Sequence, residues 1–150
     1  MTRMSLLPIP PIDTATDPIA TPADLRQRWR ALMGPLGFNE RLLRFSFVGP
    51  DRRLVKLLSD VPIGRSPTPA LVDDLMSALE VLVNDVGEGG NVAFLLTRPG
   101  LGSVSRWDRQ WADALVAGAA ERGVAIEPIF RAHDHDIALV APQSLAAYAR

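Results

Sequence analysis

The sequence predicts an α/β fold in three layers, a mixed sheet of about five strands with helices on both faces. Three observations carry this. Two long amphipathic segments with helix-capping signals alternate with short apolar runs. The run 92–96, VAFLL, is apolar at every position, as a central strand covered on both sides must be. Two apolar stretches flank the turn-forming Gly49-Pro50-Asp51, so at least one hairpin makes the sheet partly antiparallel. The expected element order is α-β-β-α-β-α-β-β-α.

Residues 1–20 read as a disordered Pro-rich tail. Pro8, Pro10 and Pro11 remove backbone donors and fix φ, which opposes both helix and sheet. Leu6, Leu7, Ile9 and Ile12 give this segment enough apolar surface to dock, as polyproline II, on its own domain or on a partner. Residues 21–150 form a single α/β domain. The first helix covers 21–33: Thr21 caps, Pro22 suits the first turn, and Asp24 stands three residues after the cap. Leu25, Trp29 and Leu32 or Met33 make its apolar stripe, and Gly34 stops it. Arg26, Arg28 and Arg30 lie off that stripe, on a solvated face.

Residues 41–48 and 54–58 are expected to pair as a hairpin. Leu43, Phe45 and Phe47 share one face, with Arg44 and Ser46 on the other. Residues 60–66 lead out of it. A second helix over 68–86 is capped by Thr68 and opened by Pro69, with Asp73 and Asp74 near its positive end. Its buried stripe is expected to be Leu71, Leu75, Ala78 or Leu79, Leu82, Val83 and Val86, and the glycines at 87, 89 and 90 end it.

After the strand 92–96 comes a Pro-Gly-rich exit loop, 97–102. Ser105 then caps a third helix and Asp108 completes a capping-box-like pair. Trp107, Trp111, Ala114 or Leu115 and Gly118 make the packing face, and Gly118 is expected to let this helix approach the sheet closely. Residues 124–130 read as a strand in which Pro128 implies an edge or a bulge. A polar turn over 131–136, a strand over 137–140 and a short helix over 144–148 finish the chain.

Composition removes several classes of function. Sixteen basic and 17 acidic residues leave a formal net charge of −1, which argues against broad nucleic-acid binding. The absence of cysteine excludes disulfides, thiolate metal sites and thiol nucleophiles, and fits a cytoplasmic protein. No apolar run is long enough to span a membrane, and prolines interrupt the stretch after Arg3 where a secretory signal would need an apolar core. Lys56 is the only lysine, a sign of a GC-rich genome. No nucleophile elbow, P-loop or dinucleotide-binding glycine pattern occurs.

Two short motifs stand at the centre of the chain, Leu96-Thr97-Arg98-Pro99 and Ser105-Arg106-Trp107-Asp108. With the element order over about residues 40–141, they resemble the JAB/MPN metallopeptidase domain, including its bacterial RadC-type branch, and the related cytidine-deaminase-like fold. In that family the central strand ends in His-x-His-Pro, Ser-x-x-Asp opens the next helix, the two His and the Asp hold zinc, and an upstream Glu is the base. Pro99, Ser105 and Asp108 match; Leu96 and Arg98 stand at the two His positions, and Glu40 is placed near the Glu. The resemblance therefore implies a copy without the zinc site, in which Ser105 and Asp108 serve as a helix cap. Deaminase chemistry of that type needs cysteine ligands that the chain lacks.

Two further clusters are candidates. In an extended segment His133 and His135 would project to one face, with Asp134 and Asp136 beside them, as a metal ion such as zinc requires; the competing reading is a polar turn. Arg98, Arg106 and Arg109 would line an anion-binding corner at the start of the third helix. The expectation is a non-catalytic interaction or regulatory domain that binds a protein partner or itself. The alternatives are a divergent metal-dependent hydrolase using His133 and His135, and a regulator that binds small anions or nucleotides.

Overall fold

The computed structural model of the chain describes residues 9–55, 57–86 and 90–141. A mixed sheet of five strands has the order β2-β1-β3-β4-β5. The strands are β1 Leu42–Val48, β2 Ser59–Pro62, β3 Asn91–Thr97, β4 Phe130–Ala132 and β5 Ile137–Leu139, and the helices are α1 Pro22–Met33, α2 Pro69–Val86 and α3 Arg106–Arg122. β1 is antiparallel to both β2 and β3, β3 is parallel to β4, and β5 returns antiparallel to β4.

The pleat of β3 divides the core. Val92, Phe94 and Leu96 face α2 and α3, together with Leu43, Phe45 and Phe47 of β1. Ala93 and Leu95 face the other way, onto Leu25 and Trp29 of α1. Helices thus cover both faces, and all six residues from Val92 to Thr97 are buried, as the unbroken apolar run requires. Both expected capping boxes form. Thr21 accepts from the Asp24 N–H at 3.1 Å and Asp24 accepts from Thr21; Ser105 and Asp108 do the same.

Four local expectations are corrected. The partner of β1 is Ser59–Pro62, not residues 54–58. The earlier segment makes one bridge, Val48 to Leu54, and the Ser46 hydroxyl donates to the Leu57 carbonyl. The Val55 N–H also donates to the Phe47 carbonyl at 2.9 Å, so the expected hairpin begins, and the Ser46 side chain takes over where backbone pairing stops. On α2 the buried residues are Val72, Met76 and Leu79, while Leu82 is exposed. Leu71, Leu75 and Val83 of the expected stripe pack half-buried beside them, so the buried face is broader than expected on the Val72–Met76 side, because α2 packs sideways on α3 as well as down on the sheet. Gly118 makes that contact: a Cβ there would lie 2.9 Å from Val72 Cγ1 and 3.2 Å from Met76 Cγ. The close approach is between two helices, not between helix and sheet.

The fourth concerns Pro128. Ile126 makes an isolated parallel bridge to Val92, the chain breaks step, and pairing resumes at Phe130–Ala132. Pro128 therefore marks an interruption, and β4 extends into the expected polar turn. Beside the interruption Glu127 is buried and accepts two bonds of 2.8 Å from Arg52 and one from Asn91. Arg52 has a φ of 63°, the left-handed region that a non-glycine residue occupies at a cost. That cost is offset by its bidentate pair with Glu127 and its bond to the Ile19 carbonyl.

Residues 9–20 lie within the expected tail, yet they pack on the domain. Ile12–Thr16 is a 3-10 helix, and Ala15 and Ile19 are buried. Arg28 donates to the carbonyls of Asp17 and Pro18, and Arg53 to that of Thr16. Arg26 and Arg30 likewise donate to the carbonyls of Ile137 and Gly34, so the α1 arginines tie the chain down instead of forming a free solvated face. The expected helix over 144–148 and the glycines at 87 and 89 lie outside the described residues.

Candidate functional site

The C-terminal end of β3 is where the sheet, the exit loop and the start of α3 converge. The loop needs Gly100 and Gly102, whose φ values of 95° and 106° no L side chain adopts readily. Their polar groups are held from the β4–β5 turn. Asp134 accepts from the Gly100 N–H at 2.9 Å and donates its own N–H to the Gly100 carbonyl at 3.1 Å. The Gly102 carbonyl accepts from His133 Nε2 at 2.6 Å and from Arg131 at 3.3 Å.

Arg98 continues β3 by one residue and falls on the same face as Leu96, beneath the first turn of α3. Its guanidinium donates to both oxygens of Asp108, each at 3.2 Å, and to the Ser103 carbonyl. The pair is deeply buried, with Arg98 8% and Asp108 3% exposed. Asp108 thus does two things with one carboxylate. It caps α3 through the Ser105 N–H at 2.9 Å and neutralises the cation at the strand end.

The expected anion-binding trio is not brought together as free cations. Arg98 is committed to Asp108. Arg106 is exposed and stacks over the Trp107 ring at 4.5 Å. Arg109 is exposed on α3. The two histidines are also separated. Residues 133–136 do not extend; the His133 N–H donates to the Asp136 carbonyl and closes a tight turn, so the period-two argument for a shared face does not apply. His133 is buried, and its Nδ1 accepts from the backbone N–H groups of His135 and Asp136, which assigns the ring proton to Nε2. His135 is exposed. Asp134 holds the exit loop and Asp136 pairs with Arg131. Among the described residues no three His, Asp or Glu side chains are grouped to hold a metal ion. Glu40 is exposed just before β1.

Sequence reasoning missed Arg41, Arg65 and Arg131. Leu42 pairs with Thr97 and Leu43 with Leu96, so Arg41 stands opposite Arg98. Leu96 pairs with Arg131, which is 1% exposed and bonded to Asp136. Arg65 leaves β2 toward α3: its carbonyl accepts from Trp111 Nε1 at 3.1 Å, and its guanidinium lies 6.0 Å from the centre of the Trp107 ring. The parity of Leu43, Phe45 and Phe47 already placed Arg41 on the α3 face; the register that set it beside Arg98 was not visible.

Arg41 is half-buried, and its pKa is held below the usual arginine value first by burial and then by repulsion from Arg98 and Arg65, against the opposing pull of Asp108. Burial is also the leading cause of the lowered pKa of Arg131. No protein-family model, curated protein or solved structure matches the chain.

Proposed function

We propose that this domain is a non-catalytic interaction or regulatory module, a JAB-like layout in which an internal ion pair stands in the place of a metal site. The observation that carries the proposal is the Arg98–Asp108 pair. In the motif comparison these two positions are a zinc-ligating His and the zinc-ligating Asp; here a fixed guanidinium satisfies the carboxylate. A metal ion and Arg98 cannot share that carboxylate, because both carry positive charge and Arg98 takes both oxygens. The surface gives some support for a protein partner or self-association. Val81 and Leu82 are exposed on α2, and Leu139 is exposed on the edge strand β5.

The test is to rebuild the missing ligands. The variant Leu96→His/Arg98→His would offer two imidazoles beside Asp108, the three protein ligands that an open zinc site needs. The variant, folded by circular dichroism, is expected to take up one zinc per chain at micromolar metal, and the wild-type chain none. A folded variant that takes up no zinc, or wild-type protein purified with stoichiometric zinc, overturns the proposal. Light scattering reads the self-association branch.

A further inference from the structure

We propose that the β3–α3 end of the domain binds a small phosphate-type dianion between Arg41 and Arg65, with the neutralised Arg98–Asp108 pair as its floor. Four arginines, Arg41, Arg65, Arg98 and Arg131, come to this end on the face covered by α3. Two of them are matched: Arg98 by Asp108 and Arg131 by Asp136. Arg41 and Arg65 have no carboxylate within ion-pairing distance among the described residues. Arg41 stands opposite Arg98, and its carbonyl accepts from the Ile63 N–H at 3.1 Å, two residues before Arg65; after burial, repulsion from Arg98 and Arg65 lowers the Arg41 pKa. Arg41 and Arg65 are thus two guanidinium groups without an ion-pair partner among the described residues, in a chain whose net charge is −1.

Folding does not place an unmatched guanidinium at a half-buried position, as at Arg41, beside other cations without cost. That cost is recovered when an anion completes the site. Arg131 adds to the excess of donors, since its Nε has no hydrogen-bond partner. The geometry also selects the ligand. Two arginines already lie over the Trp107 ring, Arg106 at 4.5 Å and Arg65 at 6.0 Å. Two unmatched unit charges suit a dianion better than a monoanionic carboxylate, and planar guanidinium forks suit its oxygens. Inorganic phosphate and small phosphate monoesters share this chemistry.

This inference is independent of the zinc test above, so either can fail alone. The experiment is titration calorimetry of the full chain at low ionic strength with inorganic phosphate, glycerol phosphate and acetate. Wild-type protein is expected to give saturable heat with one or both phosphates and none with acetate; tighter binding of the ester identifies a monoester as the source. Arg65→Gln, at an exposed position, is expected to weaken binding about tenfold, and Arg41→Gln/Arg65→Gln to abolish it, with circular dichroism confirming the fold of each. Absence of saturable heat with either phosphate, an equal response to acetate, or unchanged affinity in folded Arg65→Gln overturns the assignment.

Discussion

Replacing Arg98 by Met tests whether the ion pair at the end of β3 is a structural element of the core. Methionine keeps most of the length of the side chain and removes the charge. Asp108, 3% exposed, would then hold an unmatched negative charge with the Ser105 N–H as its remaining bond among those described. Breaking a buried pair from one side costs about 3–5 kcal/mol. Both Arg98 bonds are 3.2 Å long, whereas strong charge-assisted bonds are nearer ~2.8 Å, so the lower end, about 3 kcal/mol, applies.

Urea unfolding followed by tryptophan fluorescence reads this directly, since Trp111 is buried on the same helix. With a denaturant slope of about 2 kcal/mol per molar, the midpoint should fall by roughly 1.5 M. Asp108→Asn should cost a similar amount, because it removes the charge that neutralises the buried Arg98 guanidinium and one of the two oxygens that accept from it. The double variant should be far less unstable than the sum, with a coupling energy of about 2 kcal/mol. A coupling below ~0.5 kcal/mol would refute the reasoning, for it would mean that the two groups do not depend on each other.

Two further outcomes follow from the packing. Burial alone would raise the Glu127 pKa, but the bonds from Arg52 and Asn91 outweigh it and hold the carboxyl below its usual value. Its contribution is therefore present above the unfolded pKa of about 4.3 and lost as pH falls through the lower folded value; acid titration of unfolding should show this loss in wild type and a reduced slope in Glu127→Gln. At Gly118, alanine gains about 1 kcal/mol of helix propensity, yet its Cβ would meet the stiff Val72 at 2.9 Å. Thermal melts should show Gly118→Ala destabilised by about 1 kcal/mol net, and the added cost should vanish in a Val72→Ala background; a stabilised Gly118→Ala would sink this account of the helix contact.

What could be read from sequence was what depends on neighbours along the chain. Thr21 with Asp24 and Ser105 with Asp108 are separated by three residues, and both boxes form as spaced. The both-faces burial of β3 was legible because every residue of VAFLL is apolar. Pairing partners across the sheet were not. The alternation of Val55 and Leu57 around Lys56 looked more like a strand than Ser-Asp-Val-Pro, but an edge strand need cover only one face, and in β2 Ser59 and Val61 are half-buried while Asp60 and Pro62 are exposed. Arg98 and Asp108 were each identified, one as a free cation and one as a cap. Their union depends on how α3 sits over β3, a distance no local pattern encodes.

The charges at the strand end explain why a capping residue and a loop arginine matter together. The exit loop contains two glycines in conformations of positive φ, and such a loop loses much backbone freedom on ordering. Its near end is fixed by Arg98, which spans from β3 to the first turn of α3; its middle is fixed by Asp134, His133 and Arg131 from the β4–β5 turn. Every one of these contacts uses a charged or titratable side chain, yet each is spent within the fold. Asp108 cannot also ligate a metal, and His133 cannot also act as a base, without releasing the loop. Arg41 and Arg65 stand outside this network, Arg41 half-buried and Arg65 exposed. The same pairing that commits these side chains to the fold leaves Arg41 and Arg65 without a carboxylate partner among the described residues, and the proposed anion site is built on those two groups.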